Sequence, residues 1–137
     1  MVSPTGKGLR QSDKYGRGAY GVSRRSGTRK HQGADYICEP GQDVVAPIAG
    51  TIKREARPYP PPDWFTRYSG LVIENEYCSI KLFYLEPMRQ LIGQRIRMGQ
   101  TIGVAQDISK RYEGMIPHVH LEITSIDPAL FTDFLGG

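Results

Sequence analysis

The sequence predicts a small all-β domain of twisted antiparallel sheets with one long proline-rich loop. Three observations lead there. The chain has 137 residues, the size of one ordinary domain, and can bury a core without disulfides or a structural metal. Its 16 glycines and 10 prolines interrupt β-branched runs at short intervals, as short strands joined by tight turns require. The run His118-Val119-His120-Leu121-Glu122-Ile123 alternates with period two, which marks a half-buried strand.

Taken in order, residues 1–18 are polar and glycine-rich without periodicity, and read as an N-terminal arm ahead of a domain spanning 19–137. Gly18-Ala19-Tyr20-Gly21 predicts a short strand, and 24–30 a basic loop. Asp35-Tyr36-Ile37-Cys38 predicts a strand ending at the turn Glu39-Pro40-Gly41. In the run Asp43-Val44-Val45-Ala46-Pro47, the proline cannot donate to a ladder and marks an edge, bulge or strand end. Gly50 then lets the chain enter the next strand. Residues 57–64, RPYPPPDW, must be a loop. Residues 70–75 and 77–85 predict two strands around a tight turn at Asn75-Glu76. Residues 93–103, GQRIRMGQTIG, alternate turn and strand signals. Asp127 before Pro128 has the signature of a helix start. No internal repeat is visible.

Composition narrows the function. The formal charge is +4, with a basic excess over 10–30. It suits a solvated arm or attraction to an anionic polymer. Basic and aromatic residues do not interleave as in nucleic-acid binders, and no apolar run is long enough to span a membrane. The first residues lack the apolar core of a signal peptide. The two cysteines, Cys38 and Cys78, match no zinc-ligand spacing; both sit in strand-like runs, where a free cysteine behaves as a small apolar residue, and are expected to be reduced.

All three histidines fall in two short motifs, His31-Gln32-Gly33-Ala34-Asp35 and Pro117-His118-Val119-His120. On a strand, His118 and His120 share a face, with Cβ atoms roughly 7 Å apart, while Val119 and Leu121 face the core. His31 and Asp35 offer one nitrogen and one oxygen donor, and one imidazole of the other pair would complete a His2Asp set. Three protein ligands with a fourth position for water describe a catalytic zinc site, where water is acidified toward a pKa of about 7. Any one of these histidines alone is more commonly a satisfied surface or core residue. Only the combination favours a metal.

These residues resemble the lysostaphin-type zinc metallopeptidases. The likeness is carried by His31-Gln32-Gly33-Ala34-Asp35, by Val45-Ala46-Pro47-Ile48-Ala49-Gly50-Thr51-Ile52, by 93–103 and by Pro117-His118-Val119-His120-Leu121-Glu122, in order, over about residues 15–123. Within that group, HQGADYIC, YCSIKLFYLEP and YEGMIPHVHLE read like the chemotaxin branch. The resemblance implies a small curled sheet with a groove walled by loops. It implies His31, Asp35 and His120 as Zn2+ ligands and His118 as the catalytic histidine. It implies an endopeptidase acting on peptide cross-bridges of bacterial peptidoglycan, outside the cytoplasm.

Two positions depart from the family pattern. Where family peptidases carry a further histidine, this chain has Tyr84, which the chemotaxin branch shares. A phenol can donate to a developing oxyanion but is a poor base at neutral pH. Cys38 and Cys78 match two chemotaxin cysteines whose partners are missing here; Ser12, Arg17 and Thr124 lie near the partner positions. That suggests folding in a reducing cell and a bacterial or bacteriophage origin, with wall cutting as part of a larger assembly such as a virion. The alternative is a catalytically silent zinc module that binds a protein partner or receptor. A biotinyl or lipoyl carrier shares V-x-A-P-x-x-G-x-I, but no modifiable lysine stands at a hairpin tip.

Overall fold

The computed structural model describes residues 1–10, 23, 24, 29, 30 and 33–126. The expected strand at Gly18-Ala19-Tyr20-Gly21, the helix start at Asp127-Pro128, and His31 lie outside the described residues. So does the arm boundary expected near residue 18.

The described elements are strands β1 (Ser23–Arg24), β2 (Arg29–Lys30), β3 (Gly33–Ile37), β4 (Asp43–Val45), β5 (Gly50–Ala56), β6 (Gly70–Glu74), β7 (Cys78–Phe83), β8 (Leu85–Pro87), β9 (Arg95–Ile96), β10 (Thr101–Ala105) and β11 (His118–Ile126). Two single-turn 3-10 segments, Arg89–Leu91 and Ile108–Lys110, connect them. The domain is all-β as predicted, and among the described residues every strand pair is antiparallel. Six strands form the main sheet in the order β3-β11-β7-β6-β5-β9; a second sheet has the order β4-β10-β8, and β1 pairs with β2.

The core lies where inward residues of the two larger sheets meet. Val44, Ile52, Leu71, Ile73, Ile80, Leu82, Leu85, Ile102 and Val119 are fully buried there. At about 25 cal/mol per Å2 of apolar surface removed from water, this cluster is the main stabilising term. Cys38 and Cys78 are free thiols in the same cluster, and burial pushes both thiols up, Cys38 to about 11.

Local chemistry sets the connections. The β6–β7 turn is closed by Asn75, whose Oδ1 accepts from the backbone N–H of Tyr77 at 2.8 Å and of Cys78 at 3.0 Å. The strand expected over 77–85 instead breaks at Tyr84. There φ is +75°, and the chain leaves the main sheet at Phe83 and enters the smaller one at Leu85. Tyr84 N–H donates to Ser69 O at 2.8 Å rather than to a ladder. Leu82-Phe83-Tyr84-Leu85 is an unbroken apolar run, with no glycine, proline or polar turn residue at the break.

The first ten residues lie along the structure as an irregular strip with a turn at Pro4-Thr5 and Gly6 at φ +71°. Val2 N–H donates to Pro47 O at 3.0 Å, and Val45 N–H donates to Pro4 O at 2.9 Å. Farther on, Ile37 N–H donates to Gly8 O at 2.9 Å and Arg10 N–H donates to Asp35 O at 2.7 Å. This strip covers the free edge of β3, with Leu9 bridged to Tyr36.

Candidate functional site

β11 builds the floor of the site. It lies between β3 and β7, with His120 opposite Asp35 on one side and opposite Phe83 on the other. Val119 and Leu121 point into the core at 0% and 1% exposure. His118, His120 and Glu122 therefore share the opposite face. Close approach of β3 depends on Gly33: a Cβ there would lie 2.1 Å from Leu121 O, so a larger residue would push Asp35 away from His120.

The titratable groups interlock. His120 Nδ1 lies 2.6 Å from Asp35 Oδ1, and His120 Nε2 lies 3.1 Å from Glu122 Oε1. Arg10 donates to Asp35 Oδ2 from Nε at 3.2 Å and from Nη2 at 3.0 Å. His118 Nε2 is 3.8 Å from the same oxygen. Its Nδ1 lies 2.8 Å from Ile116 O; a carbonyl can only accept, so Nδ1 carries the proton and Nε2 the lone pair. That lone pair faces the site.

The charge states follow. Burial lifts the Asp35 carboxyl, but the His120 hydrogen bond and the His118, His120 and Arg10 charges outweigh it and take it to about 2. Burial pushes His118 below the ordinary imidazole value, so it is neutral at pH 7 and the pull on Asp35 there comes from His120 and Arg10. Burial also lowers His120, but its bonds to Asp35 and Glu122 win and raise it to about 9. Burial raises Tyr84, which stays a phenol at neutral pH.

Aromatic side chains form one wall. The Tyr84 ring stands edge-on to His118, with centroids 5.4 Å apart at 89°, and Phe83 stacks on His120 at 6.1 Å. The Tyr84 and Tyr112 hydroxyls each lie 3.5 Å from that of Tyr59, long for hydrogen bonds between hydroxyls. Arg111 lies over Tyr112 at 4.3 Å and over Tyr59 at 5.1 Å. Asp35, Tyr84, Tyr112, His118, His120 and Glu122 line a cavity of about 410 Å3, and Pro58 of the proline-rich loop reaches it too.

Of the residues singled out from sequence, Asp35, His118, His120 and Tyr84 come together around this cavity; His31 lies outside the described residues. Asp35 Oδ1, buried, and His120 Nδ1, half-buried, face each other and suit a divalent cation as oxygen and nitrogen donors. Among the described residues, no three His, Cys, Asp or Glu side chains are gathered to hold a metal. Completing such a site therefore requires a donor beyond them. Sequence reasoning missed Arg10 and Glu122. Glu122 was findable, since it extends the H-x-H alternation to H-x-H-x-E. Arg10 was not, because nothing near it distinguishes it from other arginines of the arm.

The family model described as Peptidase family M23 matches residues 29–130. Leukocyte cell-derived chemotaxin-2 of Mus musculus is 30% identical over 131 residues, covering 95% of this chain and 83% of its own length. Myeloid protein 1 of Gallus gallus is 33% identical over 121 residues, covering 88% of this chain but 36% of that protein. Among solved structures, the catalytic domain of the antimicrobial peptidase lysostaphin from Staphylococcus simulans aligns with a TM-score of 0.54 at 21% identity, covering 89% of this chain and 91% of that domain. At that identity the likeness bears on the fold alone.

Proposed function

The chain belongs to peptidase family M23, and on that basis we propose that it is a zinc-dependent endopeptidase of lysostaphin type that cuts peptide cross-bridges of bacterial peptidoglycan. The observation that carries this reading is the meeting of Asp35, His118 and His120 at one cavity, with the His118 Nε2 lone pair directed into it. Asp35 and His120 would hold the Zn2+, with His31 as the third expected ligand. When bound, zinc supplies Lewis-acid activation of water near neutral pH.

The chain's own groups do the rest. His118, neutral at pH 7, takes a proton at Nε2 from the attacking water and returns it to the departing amine. The Tyr84 hydroxyl donates to the carbonyl oxygen as negative charge builds there. Its bond to Tyr59 is long, so it can turn toward a substrate at small cost. Its backbone stands at φ +75°, a strained setting of the kind concentrated at functional sites. The net charge of +4 favours association with an anionic wall, and the protein would act outside the cytoplasm, alone or within a larger assembly.

Release of amino groups from purified peptidoglycan or oligoglycine peptides, by the protein and by His118→Ala, tests this. Release by the native chain alone supports the reading; equal release by both removes it. A second reading, a zinc module that binds a protein partner without hydrolysis, draws on Tyr84 and on the 30% identity to chemotaxin-2. Zinc binding without release by either protein would favour it.

A further inference from the structure

Two side chains that the proposed chemistry leaves without a task hold the two described metal donors from behind. Arg10 reaches Asp35 from the N-terminal strip and places two N–H groups on one oxygen, Oδ2, at 3.2 and 3.0 Å. Both side chains are 5% exposed. The backbone repeats the attachment, since Arg10 N–H donates to Asp35 O at 2.7 Å. Oδ1 is left facing His120 Nδ1 at 2.6 Å. On the far side of the imidazole, Glu122 Oε1 lies 3.1 Å from Nε2. Each donor thus turns one atom toward the shared point and the other toward an outer partner.

We propose that Arg10 and Glu122 are positioning residues for the metal pair. Arg10 commits Asp35 to binding through Oδ1 alone, and Glu122 commits His120 to the tautomer whose lone pair is on Nδ1. This rests on the zinc reading above. A carboxylate with two available oxygens can rotate and chelate a cation through both. A planar guanidinium with two donors on Oδ2 blocks that rotation, as a single ammonium point charge does less well. When a cation takes the place of the Nδ1 proton, Glu122 keeps the remaining proton on Nε2 and the lone pair on Nδ1.

Electrostatics and positioning predict opposite signs here. Arg10 puts a positive charge beside the point where a divalent cation would sit, and by Coulomb repulsion alone its removal should tighten binding. If its task is to fix Asp35, removal should weaken binding, because outer partners of this kind are worth about 10–100-fold in metal affinity.

The experiment titrates Zn2+ into the chelator-stripped full chain against a chromophoric competitor. The native protein is compared with Arg10→Met, Arg10→Lys, Glu122→Ala, Glu122→Gln and Asp35→Ala, each checked for strand content by circular dichroism. Visible spectra of the Co2+-loaded proteins report coordination number. Arg10→Met is expected to weaken Zn2+ about 10–100-fold and to dim the Co2+ band as Asp35 binds through both oxygens. Arg10→Lys, which keeps the charge, is expected to retain part of the affinity and to carry the test if Arg10→Met fails to fold. Glu122→Ala is expected to weaken binding and Glu122→Gln, still an acceptor, to restore it. Zn2+ affinity unchanged or tighter in the arginine variants, with the Co2+ spectrum unaltered, overturns the role of Arg10 and leaves the zinc reading standing. Equal Zn2+ affinity of the native chain and Asp35→Ala overturns both.

Discussion

At the scale of single residues, His118 and His120 show how neighbours two positions apart acquire opposite chemistry. His118 has one ring nitrogen tied to a carbonyl and a carboxylate at 3.8 Å, and stays neutral. His120 lies between two carboxylates and is held protonated up to about pH 9 in the metal-free chain. The first suits proton transfer and the second suits a cation. Replacing Tyr84 with phenylalanine keeps the ring against His118 and removes the donor. Tyr84→Phe is expected to lower kcat about 10²–10³-fold with zinc affinity unchanged, as single-turnover rates and metal titration would measure. A fall in zinc affinity of the same size would assign Tyr84 to the metal instead. His118 and His120 were legible in the sequence because strand periodicity puts them on one face, and Asp35 because of the motif it shares with His31. Arg10 was hidden, since its place depends on an irregular strip docking far along the chain.

At the scale of elements, β11 couples core and site through one alternation. Its odd-numbered neighbours Val119 and Leu121 are buried while His118, His120 and Glu122 face the cavity. Leu121→Ala should cost about 2–5 kcal/mol in denaturant unfolding and loosen the floor of the site. Gly33→Ala tests the spacing from the other side. Its methyl would meet Leu121 O at 2.1 Å, so β3 must retreat. A loss of about 1–3 kcal/mol is expected, with faster amide exchange at the β3–β11 ladder. Unchanged protection there would mean that the strands absorb the methyl elsewhere. Turns were legible at this scale where a side chain makes them, as Asn75 does. The corner at Tyr84 was not, because it falls inside the apolar run Leu82-Phe83-Tyr84-Leu85 and no glycine, proline or polar turn residue marks it.

For the whole molecule, pH reports on the Asp35–His120 pair. Asp35 has a folded value depressed from 3.8 to about 2. Its contribution is complete above pH 3.8 and fades as pH falls through about 2. His120 is raised from 6.5 to about 9. Its contribution is complete below pH 6.5 and disappears as pH rises through about 9. In chelator, the pair should therefore stabilise the fold most between about pH 4 and 6.5, and decline on both sides. Thermal unfolding across this range would show the window, and His120→Gln should flatten its alkaline side; a native curve already flat there would contradict the pairing. Saturating zinc should raise Tm by mass action, and Asp35→Ala should abolish the rise. The all-β class was legible from glycine, proline and period-two runs, because these act locally. Strand order was not, because β3-β11-β7 pairs residues far apart in sequence and no local signal records that.

The strip formed by residues 1–10 has one more consequence. β3 ends the main sheet, and along its outer edge the Ile37 amide is occupied by Gly8 and the Asp35 carbonyl by Arg10. A bare edge of this kind invites another chain to add a strand. Clipping the strip would thus do more than loosen one carboxylate: it would expose a sticky seam, and the trimmed protein should self-associate at concentrations where the untrimmed chain stays dispersed.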